Sequence, residues 1–307
     1  MPNFLRWQVL AWVVLWGFSP LVLQIGAAQE NWQRLNSDAF EISYKPSDRG
    51  YLDQIVQLGR TAASNLSTRL NFSPTQRIAI FIADSQQTFD QLTGGAIPHW
   101  GEGVANARQN RIVIKSPNLT HSTARLSKLL THELAHIYLG QFTQSGANLP
   151  RWFNEGMAVL LSSDEGFSGE RLSKALISDS VIPIDEIEQM LTFPGGKAQL
   201  AYEQSYAFTL YLKEQFGFEA LLQLARETTP DQPFDSIFEQ VTGAEIGDIE
   251  QEWVDVAEDK YRWHFLLDFE TYLWMFILLL VISGFVAIRL RNRRTMNRWE
   301  EEERIGL

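Results

Sequence analysis

Apolar and polar positions change their period once along this chain, and the change divides it. Between residues 51 and 70, Leu52, Ile55, Val56 and Leu58 fall at helical spacing. Before that segment, Phe40-Glu41-Ile42-Ser43-Tyr44 alternates as a half-buried strand. After it, Arg77-Ile78-Ala79-Ile80-Phe81-Ile82 carries the apolar run of a buried strand. Asp84 or Ser85 can then cap a short helix reaching Leu92, and Arg111-Ile112-Val113-Ile114-Lys115 forms a further strand. Beyond Thr120 the spacing turns helical. Helices are expected over 126–139, 150–161, 168–178 and 184–191, through Tyr202 to Gly217, and over 246–264. Strands first and helices afterwards predict an α+β fold, a small N-terminal sheet with helices over a mainly helical lower half. The strand order does not follow from the pattern.

Two apolar runs stand outside this arrangement. Near the start, Arg6 precedes a run from Trp7 to Leu23, and Gly26-Ala27-Ala28 offers small residues for cleavage, the layout of a secretory signal peptide over 1–28. An uncleaved anchor is the competing reading. Near the other end, residues 272–288 carry no charge and with their flanks predict a transmembrane helix over 268–289. Tyr261, Trp263, Tyr272 and Trp274 suit an interfacial aromatic belt, and Arg289, Arg291, Arg293 and Arg294 follow at once. Such a basic cluster belongs on the cytoplasmic side. The expectation is an extracytoplasmic domain over 29–265 on one membrane span, with a cytoplasmic tail over 290–307. Membrane lipid is thereby an expected partner.

Composition adds two exclusions. Cysteine is absent, which removes thiolate zinc ligands, thiol nucleophiles and disulfides. The net charge of −11 argues against nucleic acid as a partner.

Within the 126–139 helix lies His132-Glu133-Leu134-Ala135-His136. Histidines four apart project from one helical face and can meet around one Zn²⁺, while the glutamate between them can take a proton from a water that the metal polarises. So short a motif also arises by chance on solvated helices. The next helix contributes Glu155, in Trp152-Phe153-Asn154-Glu155-Gly156-Met157-Ala158, a segment otherwise suited to the interior. A carboxylate there is costly unless paired or bound to metal. The polar connection over 140–149 can turn the second helix back onto the first. Three ligands, His132, His136 and Glu155, leave the fourth tetrahedral position open, as in catalytic zinc sites. Asn154 can orient a ligand or the helix backbone. His99, His121 and His264 lack ligand spacing and read as surface, capping or interfacial residues.

HELAH, eighteen residues, then the glutamate of FNEGMA resembles the gluzincin zinc metallopeptidases, closest to the aminopeptidase N family and the related peptidase MA-like domains. The resemblance implies a thermolysin-like lower half under a sheet whose edge strand lines the cleft. It also implies that Tyr202, in Tyr202-Glu203-Gln204-Ser205, donates a hydrogen bond to the oxyanion; Tyr206, one helical turn on, is the substitute. The chain departs from the aminopeptidase pattern in one respect. Where those enzymes carry Gly-x-Met-Glu-Asn to hold a substrate amine, this chain has Trp100-Gly101-Glu102-Gly103-Val104-Ala105-Asn106, and Glu102 is out of order for that role. The strand over 111–115 is then a candidate edge for pairing an extended peptide, against the plainer reading of a glycine-rich turn before an ordinary strand.

Together these readings predict a membrane-anchored zinc metallopeptidase that acts on peptides or proteins, with one Zn²⁺ per chain, Glu133 as base and an endopeptidase mode of cleavage. The alternative is a catalytically silent binding or assembly factor that keeps the fold.

Overall fold

The structure, a computed structural model, describes residues 31–121, 123–143, 148–162, 169–261 and 269–306. The expected signal segment over 1–28, and also Trp263 and His264, lie outside the described residues. In chain order the elements are β1 (Gln33–Asn36), β2 (Phe40–Tyr44), α1 (Leu52–Leu70), β3 (Ile78–Ala83), α2 (Gln86–Thr93), β4 (Gly103–Asn106) and β5 (Arg111–Lys115). A single turn, α3 (Pro117–Thr120), leads into α4 (Ala124–Phe142), α5 (Arg151–Ser162), α6 (Glu170–Ile177), α7 (Gly195–Phe216), α8 (Phe218–Glu227), α9 (Phe234–Thr242), α10 (Ile246–Tyr261) and α11 (Phe269–Ile305). The 184–191 segment folds as a 3₁₀ helix, Ile184–Thr192, and not as an α-helix.

The five strands form one mixed sheet in the order β1-β2-β3-β5-β4. β2, β3 and β5 run parallel, with Ile42 opposite Ile80 and Ile80 opposite Ile112, while β1 and β4 pair antiparallel at the two edges. Side chains alternate across a strand, so Ile80, Ile82, Ile112 and Ile114 join the main core with α1 and α4. On the opposite face Ala83 and Val113 meet Phe89 of α2 in a smaller cluster. Ser85 caps α2, its Oγ accepting from the Thr88 N–H at 3.1 Å.

This order corrects one expectation. β5 is interior, paired on both sides, and the free edge next to α4 is β4, within the segment that reads in sequence as a glycine-rich turn. β5 is buried on both faces, which suits its unbroken Ile-Val-Ile run to a central strand. β4 gains its identity from β5: Asn106 caps a 3₁₀ turn over Ala107–Gln109, Asn110 takes a left-handed φ of 50°, and the chain returns in register.

The helical half is built on aromatic residues. Trp152 and Phe153 of α5, Phe208 of α7, Phe234 of α9 and Trp253 of α10 are all buried, and their rings meet at centroid distances of 4.9–5.7 Å. Such rings bring large apolar areas out of water and lock helix to helix. α5 lies so close to α7 that a Cβ on Gly156 would sit 2.0 Å from Thr209 Oγ1 and 2.4 Å from the Ser205 carbonyl. Only glycine fits that crossing, and it fixes the depth of the neighbouring Glu155.

α11 differs from every other helix. Its Tyr272–Trp299 portion is 28 residues long, apolar enough to cross a membrane, and its most apolar stretch is not buried against the described chain. The helix runs on without a break through Arg289, Arg291, Arg293 and Arg294.

Candidate active site

α4, α5 and α7 meet below β4, and their facing side chains enclose a cleft of about 210 Å³. His132 and His136 lie one turn apart on α4, with Nε2 atoms 3.1 Å from each other. From α5, Glu155 Oε2 stands 3.4 Å from His132 Nε2 and 3.3 Å from His136 Nε2. A tetrahedral ion with ligands at 2.0–2.1 Å requires ligand atoms about 3.3–3.4 Å apart, so this triangle has the edge lengths that Zn²⁺ asks for. Glu155 Oε2 is buried and has no hydrogen-bond partner. An orphaned carboxylate oxygen facing two imidazole nitrogens is what a cation satisfies, and the donor set of two nitrogens and one oxygen suits zinc. The three residues are the group of potential ligands that converges among the described residues.

Asn154 holds the ligand set from outside. Its Oδ1 lies 3.0 Å from His136 Nδ1, so Nδ1 donates to it and Nε2 is the nitrogen turned to the cleft. Charge couples the three groups. Burial alone lowers the His136 pKa, but the carboxylate of Glu155 outweighs it and raises that pKa to about 9. Burial pushes Glu155 upward, and the two imidazoles beside it prevail, holding it far below the usual carboxylate range.

Glu133 occupies the roof of the cleft and is 5 % exposed. Burial raises its pKa, against the pull of both histidines. The Ala105 N–H of β4 also acts on this carboxylate and opposes the rise. A Cβ on Gly103 would come within 2.9 Å of Glu133 Oε1, so glycine at this position lets the strand lie directly on the carboxylate. The Lys115 N–H donates to the Glu102 carbonyl at 2.8 Å, which makes that opposed pair a hydrogen-bonded one. By alternation Val104 and Asn106 also face β5, and the main-chain groups of Gly103 and Ala105 face the open edge.

Tyr202 of α7 lines the same cleft, its ring 6.4 Å from His132 and 6.5 Å from Trp100, both edge-on. Burial first, then the charges of Glu155 and Glu133, keep its pKa well above 10. The phenol is therefore a donor throughout the physiological range. Tyr206 does not line the cleft and packs against the core. Glu102 points away and pairs with Arg125 at 3.1 Å. His99 and His121 are exposed, and His121 ends α3 with a φ of 51°.

Sequence patterns alone do not single out two lining residues, Trp100 and Arg151. Arg151 opens α5 four residues before Glu155, one turn away on the same face, and that spacing was the available signal. Trp100 follows no period, and its place depends on the β4 turn.

The mixed sheet over a helical half, with HELAH on one helix and Glu155 on the next, defines a peptidase-like domain. A family model for the Peptidase MA superfamily matches residues 60–258, and the chain belongs to that superfamily. None of the curated proteins matches it.

Proposed function

We propose that this chain is a membrane-anchored zinc metallopeptidase of the gluzincin type that cleaves within polypeptides. The observation carrying this reading is the triangle of His132, His136 and Glu155, with edges of 3.1–3.4 Å, beside a buried Glu133. A bound zinc ion supplies Lewis acidity at the scissile carbonyl and acidifies a water. Glu133 takes the proton of the attacking water and later hands it to the leaving amine. Tyr202 donates its O–H to the oxyanion that develops across the cleft. Gly103 and Ala105 present main-chain groups to an extended substrate, as an edge strand does for an added one.

Cleavage within chains is favoured because Glu102 is committed to Arg125, and the carboxylates lining the cleft among the described residues are Glu133 and Glu155. Neither is spare to hold a substrate amine. The cluster of Arg289, Arg291, Arg293 and Arg294 supports a cytoplasmic C-terminal tail, with the cleft on the opposite side of the membrane.

The test is digestion of a peptide library by the full chain in detergent, with product termini read by mass spectrometry. Internal cuts that stop on zinc removal and return with zinc support the proposal. Zinc retained with no cut in any peptide supports the silent binding factor instead.

A further inference from the structure

We infer that Arg151 is the specificity residue of this cleft and engages a carboxylate on the bound peptide near the scissile bond. This rests on the peptidase reading and adds a substrate class to it.

Charge is the first ground. Among the described residues that line the cleft, His132, Glu133, His136 and Glu155 are taken up by metal and proton chemistry, and Arg151 is the one permanent cation. The second ground is geometry. Arg151 is half-buried, and its Nε donates to the Glu188 carbonyl at 3.2 Å. The Glu188 carboxylate accepts from the Arg151 main-chain N–H. Glu188 thus anchors the base of the guanidinium and spends its own charge on the backbone. Among the described residues the two terminal nitrogens have no hydrogen bond and no ion pair to a carboxylate. A planar fork fixed at Nε with both ends unspent is preorganised for bidentate contact with a carboxylate. Thirdly, Arg151, Asn154, Glu155 and Tyr202 line one cleft, so such a carboxylate would lie next to the reacting groups. The positive charge already reaches Tyr202, where it opposes the upward push of burial and the two glutamates.

The peptide carboxylate can be an Asp or Glu side chain, which keeps cleavage internal, or a free C-terminus, which replaces internal cleavage with carboxypeptidase action, and one experiment separates them. Fluorescent octapeptides are prepared with a C-terminal acid or amide, and with an internal Glu or Gln. Binding to the full-length, zinc-loaded Glu133→Gln chain is followed by anisotropy. At least one carboxylate peptide is expected to bind about 30-fold more tightly than its neutral isostere, the range of a charge-assisted bidentate pair. Preference within the acid and amide pair identifies the terminus; preference within the Glu and Gln pair identifies the side chain. Adding Arg151→Gln should reduce that ratio below about threefold, and Arg151→Lys should keep part of it. Zinc content and thermal unfolding of each variant show whether the fold is retained. The inference is overturned if no pair is distinguished, if Arg151→Gln leaves the ratio unchanged, or if it weakens all four peptides alike. The last result would mean that Arg151 acts through Tyr202 or helix packing. Because binding is read on a chain without its base, a wild type that cuts nothing refutes the peptidase reading and leaves this measurement valid.

Discussion

Helices α4 and α11 break the same rule in opposite directions. α4 brings Glu133 inside, 5 % exposed, where carboxylates seldom go. α11 leaves Leu278, Leu279, Leu280 and Phe285 56–61 % exposed, where apolar side chains seldom stay. Each inversion calls for an environment that compensates it. Around α4 the neighbours are fixed and polar: Asn154, Glu155, the Ala105 N–H and Tyr202 all converge on its buried face. Around the apolar stretch of α11 the described chain buries nothing. In the proposed reading a cation completes the first arrangement and lipid the second, since lipid acts on every side of a helix equally and needs no particular partner.

The contrast can be broken first at Glu133. Glu133→Gln keeps the shape of the buried face and removes the base, so kcat/KM on any cleaved peptide should fall roughly 10³-fold with zinc content unchanged. Parallel steady-state kinetics and metal analysis read both. A mutant as active as wild type would deprive α4 of its chemical role. On α11 the corresponding insult is a charge. Leu279→Arg should disfavour membrane insertion by about 3 kcal/mol, seen as a shift toward the carbonate-extractable fraction, whereas a helix that is not in lipid would tolerate it.

Two glycines sharpen the same comparison. Gly156→Ala must force α5 off Thr209 and the Ser205 carbonyl, with an expected loss of about 2 kcal/mol and weaker zinc retention, since Glu155 moves with the backbone. Gly284→Ala on α11 meets nothing within 4 Å. Thermal unfolding should shift for the first and stay within error for the second. The smallest effect is at Asn154, where alanine frees the His136 ring and should weaken zinc affinity about tenfold, measurable by competition with a chelator.

Much of this was legible in the chain because local patterns are decisive there. Leu52 and Ile55 lie on the buried face of α1, with Val56 and Leu58 half-buried beside it, and Ile78, Ile80 and Ile82 form the buried face of β3. HELAH and Glu155 declare their partnership through residue type and spacing. β4 was not legible, since Gly103–Asn106 has no fully buried residue and acquires its strand form from pairing with β5. Nor could sequence separate Tyr202 from Tyr206. They lie one turn apart, and only the packing of α7 on α5, which brings Tyr202 to His132 of α4, sends the first into the cleft. Arg151 becomes visible for a similar reason: its surroundings are set by Glu188, which is distant in sequence and adjacent in space.

X-ray absorption at the zinc edge of the full chain tests the metal triangle most directly. The account predicts one zinc per chain, with two imidazole nitrogens and oxygen ligands at about 2.0–2.1 Å, lost together in His132→Ala. A shell without imidazole, or zinc content undiminished by that substitution, would contradict it.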